Sequence, residues 1–564
     1  MIQKPLHAAL IVFIAFSPGK PLCGQDALME TLDKEMLKIT EEYGKKEHPP
    51  YFIDMRVHDI KSSLLQYSSG ILISQHQSHD RIVTSGMRIG NYKVDNTSIP
   101  EDAGIASSRI PVFAGKLPFE NDSLAICHCL ERGFEKAYEQ SLQQYKTYLK
   151  SKSLSDKKDD IPAFSVEQPS VFYEEPVGFK FDEKSFITWK EVLRHVSETV
   201  SNDTDIVTSD IALMVMDERI YYLSSEGSRI IQNRPQCQIQ MIVAIKTRDG
   251  NLAPMTKSYI GPDIASLPTP EKLEADVQEL RQLLKDLKDA PLADPYAGPA
   301  MLSPQSAGVF FHEIFGHRIE GQRLNNAFDS HTFKDKIGKK IINESITIVS
   351  DPTQTDYKGI PLFGSYLYDD EGIPARAVTV VEKGILKTFL MSRIPVMGQL
   401  QSNGHGRAQI GSAPYSRQAN LFIKSATGIS ESAMRKKLLK ECRKQGKAYG
   451  YYVKEVFGGF TSTDLFSPQV FNIIPTVVYR IYEDGRPDEL VRGVTFIGTP
   501  LTVFSELMAA SENYEVFNGF CGAESGNIPV STISPGLLIK KLETQKTPEA
   551  RVVSPKLPSP VTEK

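Results

Sequence analysis

The sequence predicts an α+β protein: an N-terminal α+β region, then a mainly antiparallel β, barrel-like C-terminal domain that carries one motif-bearing helix. Three observations carry this. In the first half, segments with helical and with strand periodicity are mixed without regular alternation. Beyond about residue 340, strand patterns separated by glycine turns dominate. A chain of 564 residues also exceeds what one ordinary hydrophobic core supports.

Residues 1–24 read as a signal peptide. Lys4 precedes an apolar run from Ala8 to Phe16, Ser17-Pro18-Gly19 breaks it, and small residues end near Cys23-Gly24. The run is short for a membrane helix, so an exported, periplasmic or secreted protein with no stable membrane span after cleavage is expected. The N-terminal region then covers residues 25–297, the C-terminal domain 298–545, and a disordered Pro- and charge-rich tail 546–564.

Within the N-terminal region, Leu28, Leu32, Met36, Ile39 and Tyr43 recur at three- and four-residue steps and predict a helix over 26–44. Strands are expected over 51–57, 70–75, 81–85 and 87–94, and a long helix from about Asn121. The polar run 151–160 reads as a linker, and 184–200 as a helix. Strands follow over 206–216, 220–225 and 236–248. Thr269-Pro270 then opens a helix carrying Leu273, Val277, Leu280, Leu284 and Leu287. A boundary is expected at 294–299.

In the second half the strand candidates are 341–350, 376–382, 385–391, 419–423 and 471–482. Helices are expected over 430–445 and 501–510, and loops at 411–416 and Gly458-Gly459.

The composition is that of a globular protein, with 40% hydrophobic and 24% charged residues. A net charge of −4 gives no global basic field, which argues against a nucleic-acid partner. Without Cys23 five cysteines remain, an odd number that supports no disulfide framework. Cys127-His128-Cys129 lies in a helical pattern, where such close neighbours do not face one another, so it is not a metal cluster.

The chemistry concentrates in Phe311-His312-Glu313-Ile314-Phe315-Gly316-His317-Arg318-Ile319-Glu320-Gly321. Neutral imidazoles suit zinc, and a carboxylate beside them can take a proton from water. In the zinc-peptidase pattern H-E-x-x-H the histidines share one helix face. Here they stand five apart, which on a regular helix separates them by roughly 140°. A π-bulge brings them within about 50°, so a strained helix is expected, eased by Gly316.

His312-Glu313-x-x-Gly316-His317-x-x-Glu320-Gly321 closely resembles the metallopeptidase motif of the TldD/PmbA family. The resemblance continues through Asp369-Asp370-Glu371-Gly372, Asn403-Gly404 with Arg407, Arg417 with Asn420, Arg492-Gly493, and Cys521-Gly522 before Pro529-Val530. It covers most of the chain from about Gly298 to Leu542.

The resemblance implies a zinc-dependent peptidase acting on short or unfolded peptides, with Glu313 as the catalytic base. Zinc would be held by His312, His317 and Cys521, the last selected because the family's third ligand is the cysteine of this Cys-Gly pattern. Glu320 is either a rival ligand or the residue that orients His317, and His405 is a lesser rival. The roles of Asp369, Asp370, Arg407 and Arg417 stay open between site and scaffold.

The resemblance also implies a homodimer, or a heterodimer with a family paralogue, in which this chain is the active subunit. After Cys521 the sequence reads Gly-Ala-Glu-Ser-Gly-Asn where the family is more basic. Two alternatives stand beside this reading: a noncatalytic peptide-binding subunit, and a metal-dependent hydrolase of a non-peptide amide.

Overall fold

Two helix pairs cover one face of a long N-terminal sheet, and the opposite face of that sheet meets loops of the C-terminal part, whose own larger sheet carries the site. The computed structural model describes residues 26–98, 111–152, 161–178, 181–201, 205–326, 328–329, 331–463 and 471–546. The expected signal segment 1–24, residues 153–160 of the expected linker and the expected tail beyond Lys546 lie outside the described residues.

The first sheet contains β1 (Pro50–Ser68), β2 (Ile71–Ile89), β3 (Val112–Leu117), β4 (Val171–Tyr173), β5 (Ile206–Ser224), β6 (Arg229–Asn233), β7 (Gln236–Lys246) and β8 (Leu252–Gly261). Its order is β3-β2-β1-β5-β6-β4, with β7 on β5 and β8 on β7. Strand β5 shares its second edge: residues 219–223 pair with β6 and residues 206–216 with β7.

Helices α1 (Ala27–Gly44) and α2 (Ser123–Lys152) pack on one end of the sheet, and α3 (Glu183–Ser201) and α4 (Pro270–Asp289) on the other. Both pairs use one face, because the odd-numbered Ile53, Met55, Val57, Leu65 and Tyr67 of β1 are all buried beneath them. The residues expected to form the α1 stripe are buried, and Asp26 Oδ1 caps that helix by accepting from Leu28 N and Met29 N, each at 3.1 Å. Thr269 Oγ1 caps α4 in the same way, accepting from Lys272 N at 3.3 Å. Each buried Leu or Val in these stripes is worth about 1.5–3 kcal/mol.

The even-numbered face of the first sheet meets the C-terminal part. Tyr222 packs against Gly372, which needs both the space and its positive φ of 75°. Gly411 N donates to Thr84 Oγ1 at 3.1 Å, and Gln232 Nε2 to the Tyr368 carbonyl at 2.9 Å.

The second sheet has twelve strands. They are β9 (Tyr296–Leu302), β10 (Ile346–Ser350), β13 (Val378–Glu382), β14 (Ile385–Leu386), β17 (Asn420–Ser425), β18 (Gly428–Ile429), β19 (Tyr449–Thr461), β20 (Phe471–Tyr482), β21 (Glu489–Val491), β22 (Val494–Gly498), β23 (Leu507–Ala523) and β24 (Gly526–Lys546). The small pairs β11 (Asp356–Tyr357) with β12 (Ile360–Pro361), and β15 (Gly406–Arg407) with β16 (Tyr415–Ser416), stand apart from it. Ladder pairings run in a circuit β24-β22-β20-β19-β9 and back to β24, while β10, β13, β14, β17, β18, β21 and β23 extend outside it. The sheet therefore curves back on itself through five strands, with α5 packed against them.

Several expected elements differ. The strands expected over 70–75, 81–85 and part of 87–94 are one strand, β2, paired to β1 along almost its whole length. The two expected over 206–225 are likewise a single strand, β5. The helix expected over 501–510 is only α7 (Pro500–Ser505), because Leu507 onward is claimed by the ladder with β24. Gly458-Gly459 lies within β19, not in a loop, beside register shifts in the ladder to β20. Helix α6 (Glu431–Lys444) forms as expected, capped by Ser430.

Candidate metal centre

Helix α5 (Pro304–Ile314) begins at Ser303, whose hydroxyl accepts from Ser306 N at 3.1 Å and donates to the Lys454 carbonyl at 2.7 Å. Phe310, Phe311 and Ile314 drive it into the main core with β9, β19, β20, β22 and β24. Gly308 lets it approach closely: a Cβ there would lie 3.3 Å from Phe517 Cβ and 3.5 Å from Thr532 Cβ. His312 and Glu313 ride on its last turn.

The expected π-bulge is absent. The helix stops at Ile314, Phe315 leaves helical geometry at φ −121° and ψ −50°, and Gly316–Ile319 forms a tight 3₁₀ turn. That turn, not a widened helix, carries His317 back toward His312, with ring centroids 5.1 Å apart. Two contacts explain the break. The Gln418 amide fills the space a side chain at position 316 would need. Arg318 also donates to the Glu313 and Ile314 carbonyls at 3.0 and 3.4 Å, satisfying groups at the helix end.

Cys521 arrives from β23, near the tip of the hairpin with β24, where it is paired with Ile528. Gly522 is a strand residue. The turn is at Glu524-Ser525, followed by Gly526 at φ +84°. Arg417 fixes this tip: it donates to the Cys521 carbonyl at 2.6 Å, to Ser525 Oγ at 2.9 Å and to the Gly526 carbonyl at 3.0 Å.

His312, His317 and Cys521 are all buried, and their ligand atoms lie within 4.8 Å of one another, the one such group among the described residues. Cys521 Sγ is 3.5 Å from His317 Nε2. Two tetrahedral zinc ligands, one nitrogen and one sulfur, are separated by roughly 3.5 Å, so this donor set and spacing fit zinc. His317 Nδ1 faces Glu320 Oε2 at 3.3 Å, leaving Nε2 toward the thiol. His312 Nδ1 and Glu313 Oε2 are buried without a hydrogen-bond partner.

Electrostatics agree with the donor chemistry. Burial opposes the thiolate of Cys521, but His317, His312 and Arg417 hold the thiol well below its ordinary range. Burial pushes the Glu313 carboxyl up, against the pull of His312 and His317. Glu320, buried too, is held at about 2 by His317, Arg323 and Arg417.

The centre opens into a cavity of about 240 Å³, walled by the ends of β19 and β23. A Cβ on Gly459 would lie 2.6 Å from Glu313 Cγ, so the bare β19 backbone is what admits that carboxylate. Arg318 ties the end of α5 to the same wall through Thr461 Oγ1 at 2.8 Å. Arg323 reaches Glu524 with two bonds of 2.6 and 2.7 Å, Glu320 at 2.9 Å and Asp329 at 3.3 Å.

Arg318, Arg323, Gly459 and Glu524 were not singled out from the sequence. The two arginines lay inside or beside the His motif. Gly459 had a signal only as half of a Gly-Gly pair.

The structure places Asp369, Asp370, Arg407, Asn420, Arg492 and His405 in other contacts than the His312, His317 and Cys521 group. Asp369 accepts from Glu371 N, Ile373 N and Gly406 N at 2.9–3.0 Å, which ties a loop. Asp370 accepts from Ala408 N at 2.8 Å and pairs with Arg234 of the first sheet at 3.5 Å. Arg407 donates to the Gln418 carbonyl at 2.7 Å and lies over the Tyr366 ring. Asn420 and Arg492 hold backbone carbonyls of Gln354 and Ala290. His405 is buried between Ser350 Oγ and the Asn403 carbonyl, outside the ligand group.

A family model described as the PmbA/TldA metallopeptidase C-terminal domain matches residues 296–546. A metalloprotease of Methanocaldococcus jannaschii is 31% identical over 343 residues, covering 59% of this chain and 70% of that protein. A zinc metalloprotease TldD homolog of Saccharolobus solfataricus is 26% identical over 332 residues, covering 57% and 68%. Among solved structures, TldE from Thermococcus kodakarensis shares the fold, with a TM-score of 0.61 and 14% identity over 91% of this chain and 100% of that one. By fold, motif and sequence the chain belongs to the PmbA/TldD metallopeptidase family.

Proposed function

We propose that the chain is a zinc-dependent peptidase that hydrolyses short or unfolded peptides. The observation that supports this most directly is the convergence of His312, His317 and Cys521 beside the unpartnered Glu313 carboxylate in an open-ended cavity. Zinc held by those three side chains supplies Lewis acidity toward water and a peptide carbonyl.

The chain's own residues do the rest. Glu313 takes the proton of the attacking water and returns it to the leaving amine, which its unpartnered oxygen is free to do. Glu320 holds the Nδ1 side of His317, so Nε2 is the ligand atom. Arg417 fixes the backbone of Cys521, and Arg318 fixes the end of α5 against β19. A cavity walled by strand ends suits an extended backbone.

The enzyme is further proposed to work as a dimer, with itself or a family paralogue, and to be exported by way of residues 1–24. The test is cleavage of casein and mixed short peptides, with zinc quantified per chain before and after chelation and in Cys521→Ala. About one zinc per chain, activity lost on chelation and restored by zinc, and loss of both in the variant are expected. Undiminished cleavage by zinc-free protein would refute the reading.

A further inference from the structure

Away from the C-terminal loops, the face of the first sheet opposite its helices carries almost no charge. Leu64 of β1 lies between His76 of β2 and Met214 of β5, and the row continues through Gln238 of β7 to Ile260 of β8. Directly paired residues project to the same side, so these five share one face. The rows on either side add Met216 and Ala212, and otherwise only serines and glutamines. Ile60 and Ile242 lie one row further out at the two ends. Acids appear only at the borders, each with a partner. Asp80 pairs with Lys116 at 2.9 Å, Asp210 accepts from Gln66 at 2.8 Å, and Glu218 is buried against His58.

None of the apolar side chains in these rows is fully buried, and among the described residues none joins or packs against a hydrophobic cluster. The other side of the same strands is the contrast: Leu65, Leu213 and Ile239 are buried beneath α3 and α4. In a chain with 24% charged residues, a broad half-exposed surface without charge has the composition of the centre of an interface. The patch spans five strands, and β1 from Ile60 to Ser68. That is about 24 by 27 Å, or roughly 650 Å², within what each copy contributes to a standard two-copy interface.

We infer that this face is where two copies of the chain meet, sheet on sheet about a two-fold axis, with Leu64, Met214 and Met216 at the centre. A two-fold contact sets a surface against itself, so charge of one sign on it would repel its own image. This face has none at its centre, whereas each copy as a whole carries −4. Facing sheets pack with interdigitated side chains, and unbranched methionines fill such a seam without a fixed shape. The surrounding serines and glutamines supply uncharged donors and acceptors to the same groups of the second copy. The inference takes up the dimer of the proposed function, and its readouts need no peptidase activity.

The test is sedimentation of the protein across a concentration series, beside Leu64→Glu/Met214→Glu and the control Leu124→Glu. Leu124 is 85% exposed on α2, outside this face. Wild type and the control are expected to dimerise alike, and the double variant to dissociate with at least about a 100-fold higher Kd. A second measurement needs no variant: hydroxyl-radical oxidation of wild type above and below its Kd. Met214 and Met216 should be oxidised several-fold less in the dimer, while Met397, 74% exposed on a loop, should react equally in both states.

A dimer that survives the double substitution, with Met214 and Met216 equally oxidised in both states, overturns this face and leaves the dimer reading standing. A wild type that stays monomeric at every concentration overturns the pairing of two copies. Protection of the methionines that is independent of concentration and is lost when residues 547–564 are removed assigns the face to the chain's own C-terminal segment, and overturns it as well. If the double variant does not fold, the methionine oxidation decides.

Discussion

Glu320 Oε2 lies 3.3 Å from His317 Nδ1, and the same carboxylate is held by Arg323 Nε at 2.9 Å and, through Oε1, by Arg417 Nε at 3.4 Å. One buried acid thus orients an imidazole and joins it to the arginine that clamps the Cys521 hairpin. Replacing it with Gln keeps the shape but weakens the charge-assisted contacts on both sides. Glu320→Gln is expected to lower zinc affinity 10- to 100-fold, as a competition titration against a chromophoric chelator would read it. Unchanged affinity would mean that Glu320 serves packing alone.

A substitution at Gly459 tests the proposed base apart from the proposed metal ligands. Its Cβ would sit 2.6 Å from Glu313 Cγ and 3.0 Å from the Asn472 carbonyl, so Gly459→Ala must displace the carboxylate or the strand. None of the three ligand side chains is touched. We expect kcat to fall by about 100-fold, the scale of a misplaced general base, with zinc content unchanged.

Arg417 is the test of how Cys521 is placed. It is fully buried and makes its bonds to the Cys521 carbonyl, Ser525 and Gly526, besides its pair with Glu320. Arg417→Met removes the cation beside Glu320 and leaves three backbone or hydroxyl acceptors short of a donor. A loss of about 3–5 kcal/mol in denaturant unfolding is expected, with reduced zinc content. Arg417→Lys should recover part of the stability but little of the zinc, because one ammonium cannot span the same acceptors.

His405 gives a pH signature away from the metal. Burial, and the charges of Arg407 and Arg376, depress its imidazole to about 3 from an ordinary 6.5, against the pull of the Asn403 carbonyl. A depressed group adds stability that is complete above the unfolded value and is lost as pH falls through the folded one. The contribution is thus full above about 6.5 and disappears toward about 3, on the order of 5 kcal/mol in all. His405→Gln keeps a donor and an acceptor for Asn403 and Ser350 but does not titrate. The stability difference between wild type and variant should therefore shrink steadily from pH 7 to pH 4 when measured by urea unfolding.

Helices were legible in the sequence because their signals are local. The Leu28–Tyr43 stripe, and Thr269-Pro270 before its leucines, each announce a helix within one or two turns. Long strands were not. The middle of β2, Gln75 to His79, is polar and at most half-buried, so its alternation fades, yet β1 pairs with it throughout. The hairpin of β23 and β24 was missed because Pro529, Pro535 and Gly536 break the strand pattern, and only the neighbouring ladders override them.

The site divides in the same way. His312, Glu313 and His317 are close in sequence and could be read directly, while Cys521 was reached only by resemblance. The turn that brings His317 round depends on Gln418 lying against Gly316, a contact no spacing rule contains. Glu524 and Arg323 form their pair across the length of the domain and left no local pattern.

The most direct test of the central claim is cleavage of unfolded casein and short peptides by the protein beside Glu313→Gln, with bound zinc quantified in both. The account predicts equal zinc, activity in wild type, and a loss of at least about 100-fold in the variant. A variant that holds zinc and cleaves as fast as wild type would contradict it, and so would two preparations that bind no metal at all.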